Sequence, residues 1–320
     1  MLRKNKIHRI RQLLALPLVR KTIYFAKRTS FAGFSGIPLY NVVLFILKEL
    51  KRDDLFTRAN SVAYSFFLAL FPALIVVITF LPYVPIDDLV NNIKAYLDGF
   101  LPADAEDFIF GTLDDLTTIP RGGTLSIGAV LALFFSSNGM LELMNGFDKS
   151  YHITFKQRGF IRKRILALSL TLLLGFMIVI AGVLIVLGNT IIGYIVDWLE
   201  WSEAEKVGIL VIKWTAVVVL IYTIISFIYK YGPALRKRSS FFSPGTTLAS
   251  ILTIVVSVGF SFFVNNFNTY NKIYGSISAI IVLMVWFQLL STILLIGFEL
   301  NASIAVQRDL RKERESRPHW

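Results

Sequence analysis

Between Ser278 and Glu299 the chain carries no charged side chain, a run of about twenty residues that makes about 30 Å of helix. That length matches a bilayer's hydrocarbon core, where a backbone must satisfy its own hydrogen bonds. Six segments are apolar and long enough to cross, at approximately 60–82, 124–147, 165–188, 207–229, 245–265 and 276–299. They are hydrophobic around the whole helix and show no sustained period-two alternation, which favours helices over a β-barrel. Only 17% of the 320 residues are charged, against about 25% in soluble domains. The expected fold is therefore an all-α integral membrane protein built as a six-transmembrane-helix bundle.

Charge sets the threading. With a cytoplasmic N-terminus, residues 1–59, 148–164, 230–244 and 300–320 fall inside and hold 28 of the 33 Lys/Arg. The other five are Lys94, Arg121, Lys206, Lys213 and Lys272, outside or near outer helix ends. This is the positive-inside pattern, and an even number of spans returns the C-terminus to the cytoplasm. The net charge of +12 is thus a topology signal, and no nucleic-acid partner is expected. The division that follows is a basic cytoplasmic segment (1–59), a membrane domain (60–305) and a charged tail (306–320).

The first 58 residues contain 13 Lys/Arg and lack the apolar core and cleavage site of a signal peptide. Within them Ile37–Leu47 is apolar but too short to span. It reads as an amphipathic interfacial helix whose basic flanks are drawn to anionic headgroups. The loop 83–123 between spans 1 and 2 is acidic, and its apolar spacing predicts two short surface helices around Pro102. Its carboxylates form no EF-hand pattern and are read as a solvated cap.

Chemistry is sparse. There is no cysteine, and the three histidines (His8, His152 and His319) are far apart. No nucleophile–base constellation, P-loop or dinucleotide fingerprint is present. Neither an enzyme nor a metal or cofactor is expected. The informative residues are instead polar groups inside apolar spans. Asn60 and Tyr64 are i,i+4 neighbours, and Pro72 removes a backbone donor in mid-span, a candidate hinge. Asn138, Glu142 and Asn145 share one face of the second span. In the last, Tyr274, Gln288, Thr292 and Glu299 line one face at about 100° per residue. Such groups are functional candidates in a membrane. The competing reading pairs Glu142 and Glu299 with Arg58 or Arg162–Arg164 as structural partners. Gly175, Gly182 and Gly188 are read as close-packing positions.

Several stretches carry a resemblance over roughly residues 40–305. ANSVAYSFFLALFPALI and SSNGMLELMNGFDKSYHI resemble the first two spans of the YihY/BrkB membrane-protein family. The match strengthens from YGPALRKRSSFFSPGTTLAS through YNKIYGSISA to GFELNA, with Pro233, Pro244, Gly245, Tyr270, Gly275, Glu299 and Asn301. Ala69 departs from a common Ser, and Asp148 from a usual Asn. The resemblance implies a six-span bacterial inner-membrane protein from a family linked to virulence and serum resistance, which has also been labelled a ribonuclease. The residues here lack clustered metal ligands for that activity. Asn301 joins the candidate pathway through this motif.

The first functional expectation is translocation. Asn60, Tyr64, Asn138, Glu142, Gln288, Glu299 and Asn301 would line a polar vestibule among Phe- and Leu-rich walls, suited to an amphipathic lipid-like substrate or a small ion. With no ATP-binding motif, energy would come from an ion gradient or a partner. The alternative is a non-transport scaffold or envelope-assembly factor. Either leaves room for a homo-oligomer.

Overall fold

The computed structural model describes residues 24–25, 27–30, 33–38, 40–44, 55–80, 110–111, 122–148, 151–199, 203–266 and 277–316. The expected helices around Pro102, apart from a helical 110–111, and residues 45–47 of the interfacial run lie outside these. Six long helices occur among the described residues: α1 (Leu55–Phe80), α2 (Gly122–Gly146), α3 (Phe160–Leu199), α4 (Glu203–Tyr231), α5 (Pro244–Asn266) and α6 (Ile277–Ser316). No strand is found there, only an isolated antiparallel bridge between Phe155 and Leu235. Five of these helices, α2 to α6, contain stretches long and apolar enough to cross a membrane. α1 runs for 26 residues through Pro72, and its side chains from residue 74 on lie outside the described set.

α3 and α6 have 40 residues each, about 60 Å of helix, and outrun the spans expected for them. Hydrophobicity marks where a helix meets lipid, whereas backbone hydrogen bonding decides where it stops. The last turns of α6 are made of good helix formers, and Arg311 Nε donates to Glu315 Oε1 at i,i+4 over 2.8 Å. α3 opens with Arg162, Lys163 and Arg164, a placement that opposes the helix dipole. Partners on α2 and in the following loop compensate.

Each helix packs on its neighbours in sequence, and α6 returns to pack on α1. The result is a closed ring of six helices in chain order, with α1–α2 its most extensive contact. One end of the ring is packed with aromatic side chains. There Phe147 packs on Phe298 in a tilted pair at 4.4 Å, with Tyr229 edge-on to Phe147 at 6.0 Å and Phe155 against Phe298 at 6.3 Å. Phe147, Phe298 and Tyr229 are buried, together with Leu143 and Leu295. The loops joining α2 to α3 and α4 to α5 meet at this end. Lys156 N donates to Ala234 O and Arg236 N to Thr154 O. Residues 33–38 and 40–44 also lie here: Phe34, Ile37 and Val42 form a small core with Leu300 and Ile304 of α6. Gln307 Nε2 adds a 2.9 Å bond to Asn41 O. The described parts of the four segments that charge assigned to one side therefore share one end of the structure, called the basic end below.

Why these residues make these turns is local chemistry. α5 starts at Ser243-Pro244-Gly245. Pro is well placed at a first helical position, and Ser243 Oγ accepts from Thr246 N. α4 stops at Gly232-Pro233, where Gly232 N closes onto Ile228 O at 2.8 Å and Pro233 has no amide hydrogen to continue the helix. The glycines contain one correction. A Cβ on Gly175 would meet nothing within 4 Å, so it is not a close-packing residue. Among the described helical glycines, the closest approaches fall at Gly139, Gly245 and Gly297 instead. Gly182 and Gly188 have no described side-chain surroundings.

Candidate functional site

The polar groups at the basic end form three networks. In the first, Arg58 of α1 bridges the ring. Its Nη1 donates to Gly146 O, the final carbonyl of α2, at 2.6 Å, and its Nη2 to Glu299 Oε1 of α6 at 3.0 Å. The Glu299 side chain is 1% exposed and that of Arg58 22%. A buried ion pair thus ties three helices together where the aromatic cluster sits.

In the second, α2 meets α3. Asn145 Nδ2 donates to Glu142 Oε1 at 3.1 Å, and Lys163 Nζ donates to both Asn145 Oδ1 and Asp148 Oδ2, the latter at 2.6 Å. Arg164 donates to Asn138 Oδ1 and lies 4.8 Å from the centre of the Phe134 ring. Lys163 and Arg164 in the first turn of α3 are therefore held by α2 and Asp148. In the third, Asn301 of α6 clamps the start of α5: Gly245 N donates to its Oδ1 at 2.8 Å, and its Nδ2 donates to Ser243 Oγ at 2.9 Å.

The candidate residues are thus divided. Glu299 and Asn301 are buried, while Asn138, Glu142 and Gln288 are half-buried. Asn60 and Tyr64 are exposed. Thr292 Oγ1 bonds back to Gln288 O within α6. Tyr274 lies outside the described residues, and the half-buried Pro72 sits in unbroken helix. The two carboxylates belong to different networks, linked through the end of α2. Two further polar groups escaped the sequence reading: Ser250 of α5 and Ser291 of α6 have buried hydroxyls without a hydrogen-bond partner among the described residues. Both look like small packing residues in an apolar helix, so no sequence signal marks them.

Arg158 was also missed. It caps the end of α4 from the loop joining α2 to α3, donating to Gly232 O at 2.7 Å, Pro233 O at 2.8 Å and Tyr231 O at 3.2 Å. The wide, rigid fork of a guanidinium suits three such carbonyls, and a cation suits a helix C-terminus. Burial pushes its pKa down, opposed by Asp148 and reinforced by Arg238. Arg158→Ala is expected to lower stability by about 1.5–3 kcal/mol, measured as thermal unfolding in detergent, with Arg158→Lys recovering only part of it.

Beside this cap a cavity of about 430 Å³ opens, lined by Asp148, His152, Phe155, Lys156, Gln157, Arg158 and Lys163. Among the described residues, no group of three or more His, Cys, Asp or Glu could hold a metal ion.

Comparison with known proteins places these features. The family described as virulence factor BrkB matches residues 46–319. A Bacillus subtilis protein named putative ribonuclease-like protein YfkH is 32% identical over 80% of this chain and 92% of its own length. A UPF0761 membrane protein of Xanthomonas campestris is 27% identical over 82% of the chain, which spans only 60% of that relative. Another from Vibrio campbellii is 25% identical, with 86% and 82% covered. No solved structure matches. The ribonuclease-like name is at odds with relatives named only as membrane proteins and with the apolar helices described above. The chain belongs to the BrkB family of multi-pass membrane proteins.

Proposed function

We propose that the chain is a translocator of an amphipathic, lipid-like or small ionic substrate, held here in a conformation closed at the cytoplasmic end. The observation that supports it is the ring of six helices packed at one end with Phe147, Phe298 and Tyr229 and fastened by the Arg58–Glu299 pair. A buried ion pair is generally no better for stability than a well-packed apolar pair. Intramembrane charge is therefore better explained by something the bundle must do. The buried hydroxyls of Ser250 and Ser291 add polar groups on the neighbouring helices α5 and α6. Asn60, Tyr64, Asn138, Glu142, Gln288, Glu299 and Asn301 would border the path, with Pro72 as a hinge in α1.

The threading we propose has six spans, with both termini in the cytoplasm of a bacterial inner membrane. Residues 1–59 and 306–320 would flank the 60–305 membrane domain, and the basic N-terminal segment would rest on anionic headgroups. The shared end of the four basic segments supports this. Cysteines placed at Asp104 and Lys272 are expected to react with an impermeant thiol reagent from outside intact cells, and one at Arg236 only after permeabilisation. Labelling of Arg236 in intact spheroplasts would reverse the threading.

The direct test of translocation is reconstitution into liposomes with lipid-scrambling and proton-flux readouts, comparing the native chain with Glu299→Gln. Unchanged flux in folded Glu299→Gln, or none from the native chain, goes against it. A scaffold is the second reading. Asn301 favours it, since that amide is occupied on both sides by the start of α5. No catalytic role is part of either reading.

A further inference from the structure

The cavity beside Arg158 is not used by the translocation reading and does not depend on it. Its lining carries three cations, Lys156, Arg158 and Lys163, against one carboxylate, Asp148, with His152 and Gln157 as further polar groups. Asp148 is already engaged by Lys163 at 2.6 Å. Arg158 has Nη1 and Nη2 bound to backbone carbonyls, which offset its hydrogen bonds without cancelling its charge. The cavity therefore keeps an excess of positive charge, and Lys156, His152 and Gln157 stand exposed at it. Its volume, about 430 Å³, falls in the range of small-ligand sites.

What surrounds the cavity narrows the ligand. Ile153 follows His152 in the chain, and Phe160 and Ile161 follow Arg158 across Gly159. Phe160 and Ile161 are 76% and 74% exposed at the start of a membrane-crossing helix. Large apolar side chains next to basic ones at a helix entry sit where acyl chains meet headgroups. A Cβ on Gly159 would meet nothing within 4 Å, so the backbone there is open to approach. We propose that this cavity is a binding site for a phosphate-bearing headgroup, with Lys156 and Arg158 supplying charge and His152 and Gln157 hydrogen bonds. The exposed apolar neighbours favour a membrane lipid as the source of the phosphate over a soluble one.

The full chain in nanodiscs of phosphatidylcholine with a minor share of phosphatidic acid provides the test. Retained lipid is read by native mass spectrometry, and inorganic phosphate is titrated separately by thermal shift. Preferential retention of phosphatidic acid is expected. Lys156→Gln should weaken it about fivefold, the effect of one cation near a headgroup. Gln157→Glu, which sets a negative charge in the lining, should weaken it at least as much. Both positions are exposed, so the melting temperature should hold and the loss can be assigned to binding. If inorganic phosphate binds with the same dependence on Lys156 while phosphatidic acid is not retained, the site stands with a soluble ligand. Retention of phosphatidic acid no better than phosphatidylcholine, together with no phosphate binding, overturns it. So does binding that ignores both substitutions in folded protein.

Discussion

Arg58→Leu is expected to lower the stability of the purified protein by about 3–5 kcal/mol, because it removes a cation bonded to a buried carboxylate. For a chain of this size that corresponds to a fall of roughly 6–20 °C in melting temperature. Glu299 is 1% exposed at the junction of α1, α2 and α6, so water cannot readily replace the guanidinium. The same substitution releases Gly146 O, whose helix ends there. Glu299→Gln should cost less, no more than about 1–3 kcal/mol, since Gln keeps an acceptor for Arg58 and the partly exposed Arg58 can take up water. Replacing both residues by Leu removes the desolvation penalty along with the attraction, and should restore native stability or exceed it. The double variant then separates the two functional readings. A translocator whose cytoplasmic end is fastened by this pair should stay folded yet change its flux, whereas a scaffold should work as before. A native melting temperature for Arg58→Leu would mean that the pair is not buried in the membrane, and the idea of a fastened end would fall with it.

The class of fold was legible because bilayers impose a length. Apolar runs of about twenty residues mark their helices whatever lies beyond them. Helix ends were less legible: α3 begins at Phe160 and α6 runs to Ser316, because polar residues end a span without ending a helix. Charge also grouped segments whose described parts do share an end, since Lys and Arg cluster on one side of a membrane protein. Pairing was half legible. The sequence offered Arg58 and Arg162–Arg164 as counter-charges for Glu142 and Glu299 but not which cation meets which carboxylate. That depends on ring closure, the contact of α6 with α1, which no local pattern encodes. Arg58 went to Glu299 and Arg164 to Asn138. Arg158 was invisible for a related reason: its partners are backbone carbonyls more than seventy residues away, and carbonyls leave no trace in a sequence. Glycines misled in the same way, because a small residue in an apolar helix is equally suited to a tight contact and to open lipid.

That ambiguity sets up the other large effect, at Gly297. An added Cβ there would lie 2.7 Å from Ala249 Cβ and 2.8 Å from Gly245 O, and would also clash with the Tyr229 hydroxyl. Two of these obstacles cannot swing aside. Gly245 O belongs to the first turn of α5, and Ala249 is buried on the same helix. Tyr229 is fixed by donating to Leu294 O at 2.7 Å and by its edge-on contact with Phe147. On the other side of the same contact, Gly245 leaves its missing Cβ only 2.6 Å from Asn301 Oδ1, the atom that its own amide bonds. α4, α5 and α6 thus meet at backbone distance, the way small residues let membrane helices associate. Overpacking by a single methyl already costs about 1–3 kcal/mol in a tight core, so Gly297→Ala should melt measurably lower. Gly297→Leu must push α5 off α6 and release the Asn301 clamp, and is expected to abolish accumulation of folded protein in the membrane. Gly175 supplies the control. It is helical and open, so Gly175→Ala should be neutral or stabilising by about 0.5–1 kcal/mol through reduced backbone freedom. Gly175→Leu should still accumulate and resist protease like the native chain. Equal accumulation of Gly297→Leu and Gly175→Leu would show that the α5–α6 contact does not hold the ring closed.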